Sequence, residues 1–361
     1  MPPMPKPQAL SVTSVSREPA CYTGTVNALR VVQWTTGKTG SAAIRGILDH
    51  PRLDLVGCYA YSPEKVGQDA GVLAGLDPIG VAATDDIEAL LTLGPDCVSY
   101  MAYRPNVHHL TRILQAGVNI VTTMYMLAGD GYGADVRTQL EDAAIQGKSS
   151  LYATGIYPGH APMVALAASA MCSRIDRLSV LESLDMSAYA NEQMFRAMSI
   201  DLPIDDPKAP AMIEANCGSF KEQIRVLAHA LGVTLDEIRF EAEFGAANAT
   251  HDFGFMTIGA GRIAGFKGVV SGMSGGRSVV ECRFVWKVGN DMTPNWTVCD
   301  GYVLEIEGDP SVRVRLSPMD GHFDGAAATA MPAVNAIPQV VAAPPGIVNH
   351  GELPLVTGHL A

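Results

Sequence analysis

The chain has 361 residues, of which 48% are hydrophobic and 17% charged, and its formal net charge is −12 at pH 7. An acidic balance with no Lys/Arg cluster argues against a nucleic-acid-binding surface, which needs clustered cations to neutralise phosphates, and no apolar run reaches the length of a bilayer span. Seven cysteines at irregular spacing, none in a CxxC pair, argue against a zinc site or a disulfide framework and fit a reducing cytoplasm.

Residues 1–28 lack the apolar core of a signal peptide and read as a flexible tail. From Leu29 strands and helices alternate. The predicted elements are strand Leu29–Trp34, helix Ser41–His50, strand Leu53–Ala60, a Gly-rich loop to Asp77, a short strand Val81–Ala83 and helix Asp85–Leu93 capped by Thr84. Strand Cys97–Met101, helix Asn106–Gln115, strand Asn119–Thr123, helix Gly133–Gln146 and strand Ser150–Ala153 complete the run. This alternation, with strands apolar on both faces, predicts a doubly wound parallel sheet of the Rossmann kind over 29–155.

After Thr154 the pattern changes to that of an α+β substrate domain with an open sheet, over 156–320. Helices are predicted at Pro162–Ser173, Glu192–Met198, Ala209–Ala215 and Phe220–Leu231, and strands at Arg177–Asp185, Glu237–Phe244, Val279–Val288, Tyr302–Glu307 and Val312–Leu316. Residues 321–361 form a C-terminal segment packing back on the first domain: Ala326–Ala342 is helical in composition, Pro332 and Pro338 predict a break in it, and the last residues read as loop.

The turn Thr35-Thr36-Gly37-Lys38-Thr39-Gly40 joins the first strand to the first helix, the arrangement that presents helix N-terminal amides to a pyrophosphate. Thr35 stands where such a turn usually has its first glycine, and Ala43 follows Gly40 by three. An acid normally ends the second strand and binds the ribose of NAD. Here Tyr61-Ser62-Pro63-Glu64-Lys65 follows; the Ser62 hydroxyl and Lys65 ammonium suit the 2′-phosphate of NADP, while Glu64 could bind a ribose hydroxyl and keeps NAD possible. Lys65 could equally be a solvated surface cation.

The loop Met101-Ala102-Tyr103-Arg104 follows the fourth strand and should reach the nicotinamide, with Tyr103 a possible acid and Arg104 a possible anion clamp. His108 and His109 read as helix-surface residues. The segment Thr154 to His160 is a candidate hinge over a cleft, with Tyr157 and His160 as possible lining groups. Glu182 and Asp185 are candidate acid/base groups, against the alternatives of a sheet-surface charge or a helix cap. Met101, Met124 and Met126 suggest a flexible apolar pocket for a small aliphatic carbonyl compound. Asn295 and Trp296 suggest packing between domains.

In the phosphate turn and in SPEKVGQDAG, ATGIYPG, ESLDMSAY and MPAVNAIPQVVAAPPGI, the chain from Leu29 on resembles the dihydrodipicolinate-reductase-like proteins, among them 2,4-diaminopentanoate dehydrogenase and the native amine dehydrogenases. The resemblance implies an NAD(P) Rossmann domain, an open-sheet substrate domain and a homodimer built through those sheets. It also implies hydride transfer to an imine carbon, in the reductive amination of a carbonyl substrate with ammonia or its reverse. Two departures stand out. The paired-His and Lys signature of true dihydrodipicolinate reductases is missing between Glu182 and Tyr189, and the Glu that amine dehydrogenases place after the fourth strand is missing between Ser99 and Pro105. A carbonyl or imine reductase that needs no ammonia and a non-catalytic cofactor-binding protein are the alternatives.

Overall fold

The computed structural model describes residues 28–124, 131–319 and 324–360, in which two seven-stranded sheets follow one another along the chain. The elements of the first part are β1 (Leu29–Trp34), α1 (Lys38–Asp49), β2 (Leu53–Tyr59), α2 (Ala70–Leu73), β3 (Ala83–Thr84), α3 (Ile87–Thr92), β4 (Cys97–Tyr100), α4 (Val107–Gln115), β5 (Asn119–Thr122), α5 (Ala134–Gly147) and β6 (Ser150–Ala153). The second part has α6 (Ala161–Ser169), β7 (Arg174–Asp185), α7 (Glu192–Ala197), α8 (Ala209–Asn216), α9 (Gly218–Ala230), β8 (Glu237–Ala247), β9 (His251–Asp252) and β10 (Thr257–Ile258). It continues with β11 (Ile263–Ser274), β12 (Arg277–Lys287), β13 (Met292–Thr293), β14 (Gly301–Asp309) and β15 (Val312–Leu316), and the chain closes with α10 (Gly325–Val341) and β16 (Gly346–Val348).

The first sheet has the order β16-β6-β5-β4-β1-β2-β3, with every pairing parallel. A parallel sheet needs cover on both faces. Leu90, Leu110, Ile113, Leu114 and Leu140 from α3, α4 and α5 cover one face, and Ile44, Ile47, Val334 and Ile337 from α1 and α10 cover the other. The strand order reverses between β1 and β4, so the carboxyl ends of these two strands form the ligand-binding crevice expected of such a sheet.

Several local expectations are corrected. Helix α3 is capped by Asp86, whose Oδ1 accepts the Glu88 and Ala89 amides, while Thr84 Oγ1 accepts the Asp86 amide. The C-terminal stretch expected to be loop supplies β16, which pairs with β6. Helix α10 is unbroken through Pro332 and Pro338. An interior proline costs about 3 kcal/mol. Here Ala330, Ala333, Val334, Ile337 and Val340 are fully buried, and burial of each larger aliphatic side chain returns about 1.5–3 kcal/mol.

The second sheet has the order β13-β8-β11-β12-β7-β14-β15. Its β11 was not expected, because Gly265, Gly268 and Gly272 weaken the strand signal. Packing requires all three: a Cβ on Gly265 would lie 2.8 Å from the Trp286 carbonyl oxygen. A Cβ on Gly268 would lie 2.0 Å from the Phe284 ring, and one on Gly272 would lie 2.7 Å from Ile224 of α9. The glycines let the inner layer, with Phe220, Ile224 and Leu227, sit directly on the strand. On the opposite face one row runs Glu241–Val269–Arg283–Leu181–Val303–Arg315 across six strands. No helix among the described residues covers that face. Asn295 and Trp296 belong to this part and not to a contact between domains: Asn295 Oδ1 accepts from Lys287 Nζ at 2.8 Å, and Trp296 packs on the second core.

Gly268→Ala should destabilise the protein by about 1–3 kcal/mol, the usual cost of overpacking, with cofactor affinity unchanged. Urea unfolding and a cofactor titration check both halves of this expectation.

Candidate active site

The site starts from one strained residue. Thr35, at the end of β1, has φ +74°, the left-handed region in which the usual glycine is comfortable. Three hydrogen bonds hold it there. Its amide donates to the Tyr59 carbonyl at 2.9 Å, its hydroxyl donates to the Met101 carbonyl at 3.1 Å, and its carbonyl accepts from Gln33 Nε2 at 3.0 Å. The bend brings α1 so close that a Cβ on Gly40 would lie 2.2 Å from the Thr35 carbonyl oxygen. Gly37, the N-cap of α1, supplies no side-chain cap, and a Cβ there would meet nothing within 4 Å. The amides opening α1 are therefore left for a ligand anion.

These residues open on a cleft of about 880 Å³. Its walls include Thr35, Thr36, Gly37, Lys38 and Thr39, but not Gly40, which is buried behind them. Ser62 and Lys65 line it as well, and Lys65 Nζ donates to the Thr36 carbonyl at 3.3 Å and to Thr36 Oγ1 at 3.2 Å. Glu64 is not among the lining residues. Met101, Ala102, Tyr103 and Met124 also line it, and Arg104 is not among the lining residues. Met126 lies outside the described residues.

Thr154 to Pro158 crosses the cleft between the two parts of the chain. Tyr157 does not offer its hydroxyl to the cleft: that group lies 2.8 Å from the Val180 carbonyl and 3.1 Å from the Arg283 carbonyl. Burial holds it in the protonated form. Nor does His160 line the cleft; burial lowers its pKa, and it lies near His350. His350 is itself buried, pushed down to about 4, and bonded to Thr154 Oγ1 at 3.2 Å.

The two carboxylates singled out in the sequence are engaged elsewhere. Glu182 is buried in the second sheet, where Tyr302 Oη and Trp286 Nε1 each donate to it at 2.7 Å. Asp185 braces the end of β7, its Oδ1 accepting from the Ser187 amide, the Ser187 hydroxyl and the Gly289 amide. Neither lines the cleft.

Their place on the wall is taken by residues that composition did not flag: Tyr189, Met194, Ser219, Asp324 and Thr329. The Tyr189 carbonyl accepts from Lys38 Nζ at 3.4 Å, which ties the second part to the phosphate turn. Its hydroxyl fills the space left by Gly325, where a Cβ would come within 2.6 Å. Burial, and then the charges of Glu182 and Asp324, raise its pKa, so the phenol is neutral at neutral pH. Asp324 caps α10, with Oδ1 accepting the Ala326 and Ala327 amides at 3.0 Å. It is the single carboxylate among the described lining residues. Its sequence signal was an Asp before an Ala-rich helical run. Tyr189 ends the ESLDMSAY stretch that also holds Glu182 and Asp185.

The cleft thus combines an open amide cradle with two nearby ammonium groups, an apolar lining of Met101, Met124, Ile156 and Met194, and a neutral phenol near a carboxylate. A nicotinamide dinucleotide fits this series, with its pyrophosphate at the uncapped N-terminus of α1.

The buried Glu182 carboxyl is pushed up to about 7 from an ordinary 4.5 by desolvation, against the pull of its hydrogen bonds. A raised carboxyl pKa gives stability that is complete below the unfolded value and is lost as pH rises through the folded value. Stability from this group should therefore fall between about pH 4.5 and 7. Between pH 5 and 8 the wild type should lose up to about 3 kcal/mol more unfolding free energy than Glu182→Gln, as urea titrations at the two pH values would show.

A family model described as the 2,4-diaminopentanoate dehydrogenase C-terminal domain matches residues 162–361. A curated amine dehydrogenase from Streptomyces virginiae is 32% identical over 353 residues, covering 91% of this chain and 96% of that protein. A 4-hydroxy-tetrahydrodipicolinate reductase from Anaeromyxobacter dehalogenans is 30% identical over 116 residues, 32% of this chain and 41% of its own length. The solved structure of the amine dehydrogenase from Mycobacterium smegmatis superposes with a TM-score of 0.75 at 23% identity, covering 92% of this chain and 97% of that one, and so shares its fold. The chain belongs to the family of amine dehydrogenases and 2,4-diaminopentanoate dehydrogenase, NAD(P)-dependent oxidoreductases with a Rossmann sheet and a second, open sheet.

Proposed function

We propose that this protein catalyses the NADPH-dependent reductive amination of a small ketone or aldehyde with ammonia, and the reverse deamination. The observation that carries the reading is the joining, in one cleft, of an uncapped helix N-terminus, an apolar, methionine-lined stretch and a neutral tyrosine. The reaction balances as carbonyl plus ammonium, NADPH and a proton giving the primary ammonium product, NADP⁺ and water. When bound, the dinucleotide supplies the hydride. The amides of α1 would hold its pyrophosphate, and Ser62 and Lys65 its 2′-phosphate. Support for NADP over NAD is the absence of an acid at the end of β2 and the position of Lys65 Nζ against Thr36.

Met101, Met124, Ile156 and Met194 exclude water from the reacting carbon and suit a small aliphatic substrate. Tyr189 Oη gives a proton to the carbonyl oxygen as it leaves and is restored by a proton from the attacking nitrogen. A second reading, ammonia-independent carbonyl reduction, draws on the loop Ser99 to Pro105, which has no carboxylate but offers the exposed Tyr103 on the cleft wall. NADPH oxidation with a panel of small ketones and aldehydes, with and without ammonium chloride, separates the two. Oxidation that depends on ammonium is the expected result; equal rates without it would favour the carbonyl reductase, and no oxidation at all would defeat both.

Lys65→Ala should raise the KM for NADPH by at least about tenfold, the value of one charge-assisted hydrogen bond, and leave that for NADH unchanged. We also propose a homodimer formed through the uncovered face of the second sheet. On that face Leu181 and Val303 are paired neighbours, Arg283 stands between Leu181 and Val269, and the ion pairs of Arg177 with Glu281 and Glu307, and of Arg313 with Glu305, lie on the same face. Leu181→Asp should then shift the mass measured by light scattering from two chains to one.

A further inference from the structure

Resting on the amination reading, we propose that Asp324 is the carboxylate that binds the reacting nitrogen, in place of the glutamate missing from the loop after β4. Three placements lead to it. Asp324 is the one carboxylate among the described residues that line the cleft. Glu182 has both oxygens occupied by Tyr302 and Trp286, and Asp185 is tied to Ser187 and Gly289. Finally, the N-terminal turn of α10 stands at the crossing between the two parts, since a Cβ on Gly155 would lie 3.6 Å from Thr329 Cγ2.

The local geometry divides the work of the carboxylate. Oδ1 holds the Ala326 and Ala327 amides and fixes the side chain, whereas Oδ2 takes no hydrogen bond among the described residues. The Tyr189 hydroxyl sits against Gly325, the next residue. The nitrogen and the proton donor are thus presented from one side.

The charge balance of the reaction suits a fixed anion. Ammonium and the carbonyl compound give an iminium cation and water: the nitrogen loses two protons, a carbon–nitrogen bond forms, the carbon–oxygen bond breaks, and the oxygen leaves with both protons. One positive charge is present before and after. A carboxylate preorganised beside it by its two amide bonds stabilises both ammonium and iminium without moving. Tyr189 Oη passes the protons from nitrogen to oxygen.

The test separates this role from simple helix capping. Asn caps a helix as well as Asp does but carries no charge, whereas Glu keeps the charge but caps poorly. With the carbonyl substrate that the wild type turns over best, Asp324→Asn should keep its Tm and its NADPH affinity but lose at least about 100-fold in kcat/KM for ammonium, of the order of one removed electrostatic contact. Asp324→Glu should have a lower Tm and a higher ammonium-dependent rate than Asp324→Asn. Asp324→Ser, a second neutral cap, should behave as Asp324→Asn does. Activity that follows stability instead, or an Asp324→Asn enzyme within about threefold of wild type in kcat/KM for ammonium, would overturn the assignment. A wild type whose NADPH oxidation ignores ammonium would defeat the amination reading itself, a result distinguishable from either.

Discussion

The site depends on how closely α1 approaches the end of β1. Thr35 is held in a left-handed conformation that costs about 1–2 kcal/mol for a residue with a Cβ, and Gly40 permits the contact that follows. Bonds from Thr35 to the ends of β2 and β4 anchor the strained residue at the point where the strand order reverses. The strain thereby fixes where the free amides of α1 point, and the rest of the cleft is arranged around that direction. Lys65, Lys38 and the carbonyl of Tyr189 all converge on it.

The second part of the chain shows how a sheet can form where its sequence signal is weakest. β11 lies between β8 and β12 although glycine interrupts it, because Phe284 and α9 occupy the space that side chains would need. Strand propensity describes a residue on a half-buried pleated surface; it does not register a position at which a neighbouring ring has taken the room. The same limitation made α10 look broken. Its two prolines are local, and the burial that holds the helix against α1 is long-range.

The Rossmann alternation was legible because each strand and helix carries its own periodicity, and strand ends fell within a few residues of those expected. The turn between β1 and α1 was legible from its glycines. The acid/base groups were harder to read. Glu182 and Tyr157 have the right chemistry, but their polar atoms are taken by Trp286 and Tyr302 and by two strand carbonyls respectively, and Asp185, its Oδ1 bonded to Ser187 and Gly289, is not on the cleft wall. A sequence displays the side chain and not what satisfies it. Tyr189 and Asp324 reach the cleft because a loop and a helix N-terminus far apart in the chain meet at Gly325, a contact with no local signature.

The most direct test of this arrangement is the affinity of NADPH for the wild type and for Gly40→Ala, measured by calorimetry alongside circular dichroism. The substitution adds one methyl group behind the cleft and touches no lining residue except through the Thr35 carbonyl. If the close approach of α1 to β1 aims the amide cradle, the variant should keep its fold and lose NADPH affinity by at least about tenfold, or 1.4 kcal/mol. A folded Gly40→Ala protein that binds NADPH as the wild type does would contradict it.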